Sequence, residues 1–200
     1  MTARTQHLQR FLDEVGSALE ERVAPADPPA PVVGRILGAL RRPATAGRER
    51  QAEDLSVLRQ LPAGLSAAAE PDGAVAAVGQ ALADLAPGLD WRRRPQAAAV
   101  GPDFFDGHAN AVIVGADGLE QRNDVTVGVS LVAPGVRYPD HCHPPEEVYL
   151  VLSPGEWWQA GGAWHAPGIG GIVHNPPGIM HAMRAGTAPL LAVWLLWMED

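Results

Sequence analysis

The period of the apolar residues changes once along this chain, near residue 96, and that change constrains the fold more than any other feature. Before it, apolar side chains recur every three to four positions. Leu8, Phe11, Leu12, Val15, Leu19 and Val23 fall on one helix face, with Thr5 placed as the N-cap. The stretch APADPPAP at 24–31 breaks that run. The same spacing predicts helices over 32–41, 49–61 and 74–86. Such helices serve as scaffold, as a cap on a barrel or as a dimer interface, and scaffold is the plain reading. From residue 96 the period is two. VTVGVSLV at 125–132 puts Val125, Val127, Val129 and Leu131 on one side, and ANAVIVG, EEVYLVL, GGIV and LLAVWLLW read as further strands. Turns such as APGIGG and NPPG separate them, and no helix-period run lies among them. Many short strands with such turns predict a β-sandwich or barrel. The expected organisation is a helical region over 1–95 and a β-barrel over 96–200.

Composition removes several functions. The net charge of −8 argues against nucleic acid or an anionic membrane as a partner. All 15 basic residues are arginine, which excludes Schiff-base lysine chemistry and a P-loop. The one cysteine, Cys142, forbids an internal disulfide and fits a reducing compartment. The N-terminus lacks a long apolar h-region, and PLLAVWLLWM is only about half the length that spans a bilayer. A cytoplasmic monomer or homodimer acting on a small molecule is the expectation.

The chemistry concentrates in HCHPPEEVYL at 141–150. Residues two apart in a strand share a face, so His141 and His143 point together, as do Glu147 and Tyr149. Pro144 and Pro145 bar a regular ladder between the pairs and favour a bend that lets them meet. His181 follows much later, behind the Pro-Gly turn of NPPGIMHAM. Imidazoles with one carboxylate suit a transition metal, and open coordination positions make such a site catalytic.

These residues resemble the cupin superfamily. Gly135, His141, His143, Glu147 and Gly155 follow its first motif, with one extra residue in the last spacer. Gly170, Pro176, Gly178 and His181 follow the second, except that Ala185 stands where the motif ends in asparagine. The resemblance spans about 96–198 and implies a mainly β protein, a cupin jelly-roll β-barrel with an N-terminal α-helical region. Barrel closure then explains the apolar strands, whose apolar face fills the interior.

YPDHCHPPEEVYLVLSPGEWW, GGAWHAPG and GGIVHNPPGIMHAMR further resemble the cupin-type dimethylsulfoniopropionate lyases of the DddQ kind. That resemblance implies β-elimination to dimethyl sulfide and acrylate. It implies one divalent or trivalent metal ion, such as zinc, iron or manganese, on His143, Glu147, His181 and Tyr149, with Tyr149 also serving as the metal-associated base. Tyr138 and His141 take supporting roles in catalysis and substrate orientation, and His141 is a ligand in cupins at large. Tyr138 and Tyr149 are the only two tyrosines, and a nearby cation favours phenolate.

A sulfonium is tolerated by aromatic faces. Trp194 and Trp197 are the substrate-binding candidates; three apart on one strand, they face opposite sides. Cys142 reads as a small packed residue turned from the metal, His165 and His174 as structural, and WRRRP at 91–95 as a solvated charge run. His108 could approach the cavity. The alternatives are a cupin oxygenase, a sugar-phosphate isomerase using Arg137 or Arg184, and a non-catalytic sensor. The tyrosine pair favours elimination, since an oxygenase needs no phenolate.

Overall fold

The computed structural model describes residues 4–47, 53–69 and 73–198. Its helices are α1 (Gln6–Arg22), α2 (Ala30–Leu40), α3 (Leu61–Ala69), α4 (Ala74–Leu85), α5 (Ala97–Val100) and α6 (Pro102–Gly107). Thr5 caps α1, its hydroxyl accepting from the Leu8 amide at 3.3 Å, which satisfies one of the amides that a helix start leaves unpaired. Of the helix expected over 49–61, residues 49–52 lie outside the described residues. The rest holds a 3₁₀ turn, Ser56–Gln60, and the α-helix begins only at Leu61. Pro62 explains the shift, because proline suits a first turn and breaks a helix interior. The short helices α5 and α6 sit where only strands were expected; Pro102 starts α6 in the same way.

Ten strands follow in chain order among the described residues: β1 (Thr45–Ala46), β2 (His108–Val114), β3 (Glu120–Gln121), β4 (Val125–Val132), β5 (Arg137–His141), β6 (Glu146–Val151), β7 (Glu156–Gln159), β8 (Ile172–Asn175), β9 (His181–Arg184) and β10 (Leu190–Trp197). One sheet has the order β1-β3-β2-β4-β10-β6-β8, and a smaller one the order β5-β9-β7. The two face each other as a cupin jelly-roll barrel, with the helical region packed on the outside of the large sheet.

That sheet is therefore buried on both faces. Val125, Val127, Val129 and Leu131 of β4, with Leu150 and Val193, pack against Leu8, Phe11, Val15 and Leu82. The alternate residues Val132, Tyr149, Val151 and Ala192 pack inward against Tyr138, Trp157 and Met183 of the small sheet. The fully apolar face of β4 thus meets the helices, and the alternate face fills the barrel interior. Apolar burial releases the same free energy on either side, so alternation marks a face without saying which way it looks. Among the described residues no helix is long and apolar enough to cross a membrane.

Candidate metal centre and cleft

The two strands that carry the outer histidines pair directly, with β5 antiparallel to β9 and His141 opposite His181. His143 lies just past the end of β5. Gly178, in the left-handed region at φ 72°, turns the second motif so that its amide donates to the His143 carbonyl at 2.9 Å. Glycine adopts that conformation without the strain a side chain would add. One backbone bond thus ties the two halves of the site. His141, His143 and His181 each offer a ring nitrogen, all within 4.8 Å of one another.

The backbone also sets which nitrogen each ring offers. Nδ1 of His141 lies 2.9 Å from the Pro139 carbonyl, Nδ1 of His143 2.9 Å from the Pro145 carbonyl, and Nδ1 of His181 3.0 Å from the Ile179 carbonyl. A carbonyl only accepts, so each Nδ1 carries the proton and each Nε2 is left as a lone-pair donor. Glu147 Oε2 is 3.4 Å from His143 Nε2 and 3.3 Å from His181 Nε2. Ligand atoms bound to one ion at about 2.0–2.2 Å sit roughly 3 Å apart, so these spacings fit a shared cation. His181 Nε2 is buried with no hydrogen-bond partner, which a metal would resolve. The three histidines and Glu147 thus fit a metal ion, and His141 joins the set on geometry.

Glu147 is steadied from behind. Asn175 Nδ2 donates to its Oε2 at 2.7 Å, and Asn175 Oδ1 accepts from Gln159 Nε2 at 2.6 Å. Burial pushes the Glu147 carboxyl up, but the adjacent His143 and His181 imidazoles outweigh it and hold it at about 2. The adjacent Glu147 carboxylate raises the His143 imidazole, against burial. Burial first, then the neighbouring His181, lowers His141 to about 4. Burial and the Glu147 charge push the Tyr149 phenol well above its ordinary value. Burial also raises Tyr138, opposed by its bond to Asn110.

A cavity of about 230 Å³ opens on this cluster, and Tyr138, Tyr149, Trp194, Asn110, Ser130 and Arg94 line it beside the histidines. Ser130 Oγ donates to Asn110 Oδ1 at 2.7 Å, and Asn110 Nδ2 donates to the Tyr138 hydroxyl at 3.0 Å. A larger cavity of about 530 Å³ lies between Leu8, Leu85 and Leu119. It holds none of the ligand set, so volume does not mark the chemistry.

A family model of dimethylsulfoniopropionate lyases matches residues 30–192. The chain belongs to the dimethylsulfoniopropionate lyase family. Dimethylsulfoniopropionate lyase DddQ from Ruegeria pomeroyi is 30% identical over 168 residues, covering 80% of this chain and 83% of that protein. A chain from the crystal structures of the lyases RdDddP and RnDddQII superposes with a TM-score of 0.73 at 24% identity, covering 96% of this chain and 92% of that one. The crystal structure of DddQ from Ruegeria pomeroyi gives 0.68 at 24% identity with the same coverage. These two likenesses concern the fold.

Within this lyase-family chain several residues lie elsewhere than the sequence suggested. Trp197 does not reach the cleft; it packs on the helical side, with Arg35 5.4 Å from its ring centroid. Trp194 has the opposite parity and lines the cavity. Cys142 is exposed at the cavity mouth rather than packed. His108 stays outside the cavity lining, fully buried, its Nε2 accepting from the Arg94 amide at 2.8 Å. Arg137 and Arg184 stack on Trp164 at 5.7 and 4.3 Å, away from the cavity. His174 is structural, paired with Glu146 at 2.8 Å. Asn110, Ser130, Asn175 and Arg94 were not anticipated. Asn110 and Ser130 had a signal: polar residues inside otherwise apolar strands.

Proposed function

We propose that this chain cleaves dimethylsulfoniopropionate to dimethyl sulfide and acrylate by metal-dependent β-elimination, with Tyr149 as the base. The observation that carries this reading is the placement of the Tyr149 phenol in the cleft wall, two residues along β6 from Glu147, in a chain of the lyase family.

In the elimination, a base takes a proton from the carbon next to the carboxylate. That C–H pair becomes the new C=C bond, the C–S bond breaks, and sulfur leaves with its electron pair as neutral dimethyl sulfide. No acid is needed for a leaving group that departs uncharged. His141, His143, Glu147 and His181 would hold a divalent or trivalent metal ion, whose positive charge would attract the substrate carboxylate and favour phenolate over phenol. That charge is needed, since burial and Glu147 alone push the Tyr149 phenol away from ionisation. Tyr138, fixed through Asn110 and Ser130, orients the substrate from the opposite sheet. The Trp194 face accepts the sulfonium end. Burial of Glu147 and Tyr149 keeps water from competing for the proton.

The test is incubation of metal-loaded protein with dimethylsulfoniopropionate and gas chromatography of the headspace. Dimethyl sulfide is expected from the wild type, with at least a ~100-fold loss in Tyr149→Phe at unchanged metal content and melting temperature. Near-normal turnover in that variant removes Tyr149 from the base role.

A further inference from the structure

The arginine run at 92–94 reads as a uniform charged stretch, yet its three side chains meet different fates. Arg92 pairs with Asp90 at 2.8 Å and with Glu53 at 3.2 Å. Arg93 pairs with Asp106 at 3.3 Å, stacks on Phe105 at 4.2 Å, and donates to the Phe105 carbonyl at 2.7 Å. Arg94 has no carboxylate partner among the described residues. It lines the cavity of the metal cluster, with its guanidinium carbon 5.6 Å from the Tyr138 ring centroid. The Tyr138 ring in turn lies 5.0 Å from the His141 ring.

The backbone holds Arg94 there. Its amide donates to buried His108 Nε2 at 2.8 Å, and His108 Nδ1 bonds the Phe104 carbonyl. Arg92 and Asn110 exchange backbone hydrogen bonds of 2.8 and 2.9 Å, so the run is stitched to β2 beside the side chain that orients Tyr138. Gln96, two residues on, takes a left-handed φ of 62° and turns the chain away. A half-buried guanidinium with no carboxylate partner, held on a fixed backbone and hydrogen-bonded to the neutral Tyr138 phenol, is a prepared anion site, because it still has charge-assisted hydrogen bonds to offer.

We infer that Arg94 receives the carboxylate end of the substrate and so fixes the direction in which a zwitterion sits in the cleft. The inference rests on the elimination reading for the identity of that carboxylate. A carboxylate offers two oxygens and can face Arg94 and the histidine cluster together. A sulfonium beside Arg94 is repelled, which leaves it the Trp194 side. Arg94 thereby selects short carboxylates bearing a cation at the far end.

The test splits the substrate into halves. Binding of propionate and of trimethylsulfonium to metal-loaded enzyme is measured by calorimetry for wild type, Arg94→Gln and Arg94→Lys, with metal content and melting temperature as controls. Arg94→Gln is expected to weaken propionate roughly 10- to 100-fold while trimethylsulfonium binds as well or better, with Arg94→Lys between. In turnover the loss falls mainly on KM. Unchanged propionate affinity, or equal loss of both probes, overturns the assignment. Arg94-dependent propionate binding without dimethyl sulfide production sinks the lyase reading and leaves this one standing. Turnover with Arg94-independent propionate binding does the reverse.

Discussion

Trp194 stands directly opposite Tyr149 in the antiparallel register of β10 and β6, and opposite Gly128 on its other side, in β4. The indole occupies the space a side chain at Gly128 would take: a Cβ there would lie 2.2 Å from Trp194 Cζ2 and 2.7 Å from the Ala111 carbonyl oxygen. One missing methyl thus lets the indole lie across the sheet at the cleft.

Gly128→Ala is therefore expected to cost about 1–3 kcal/mol of stability and to displace the indole. Chemical denaturation and steady-state kinetics check both effects. Adding Trp194→Ala should recover part of the stability but none of the substrate affinity, a coupling that a double-mutant cycle reads directly. Additive effects would show that the ring is not held by this gap.

Removing Asn175 should loosen the site without touching a ligand. Asn175→Ala takes away the donor on Glu147 Oε2 and leaves Gln159 Nε2 with only the His174 carbonyl as acceptor. Metal affinity, measured by competition with a chromogenic chelator, is expected to fall about 10- to 100-fold. Wild-type affinity would show that Glu147 needs no such support.

Glu147→Ala, His143→Ala and His181→Ala should each lose metal by elemental analysis. Chelation of the wild type should lower the melting temperature, since an ion bound only by the folded state stabilises it. Full metal retention in any of the three variants excludes that side chain as a ligand.

His108 gives the fold a pH dependence of known sign. Burial lowers its imidazole below the ordinary value of 6.5. Just below that pH the unfolded chain takes up a proton that the folded chain refuses, so stability falls as acid is added. Denaturation midpoints of His108→Gln should therefore fall less steeply than wild type between about pH 7.5 and about pH 5.5. Parallel slopes would assign the acid sensitivity to other groups.

Period and spacing carried much of this to the sequence level. α1 with its Thr5 cap, α4, and the large sheet's long strands are local patterns. The convergence of His141, His143, Glu147 and His181 follows from alternation, a proline bend and one glycine turn. What stayed hidden depends on partners far along the chain. Arg92, Arg93 and Arg94 are alike in sequence, and only Glu53, Asp90 and Asp106 distinguish them. The opposite facings of Trp194 and Trp197 follow from their spacing. Which side is the cleft depends on the helices that cover the other.

The large sheet serves as a partition with a chamber on one side and the structural mainstay on the other. Strand parity alone allots each side chain of β10 to one or the other. Deleting a single residue ahead of Trp194 would turn that indole into the helical packing and thrust Leu195 into the chamber. Substitutions can therefore reshape this partition, but changes of length within it are closed, and variation in length is confined to the loops at its ends.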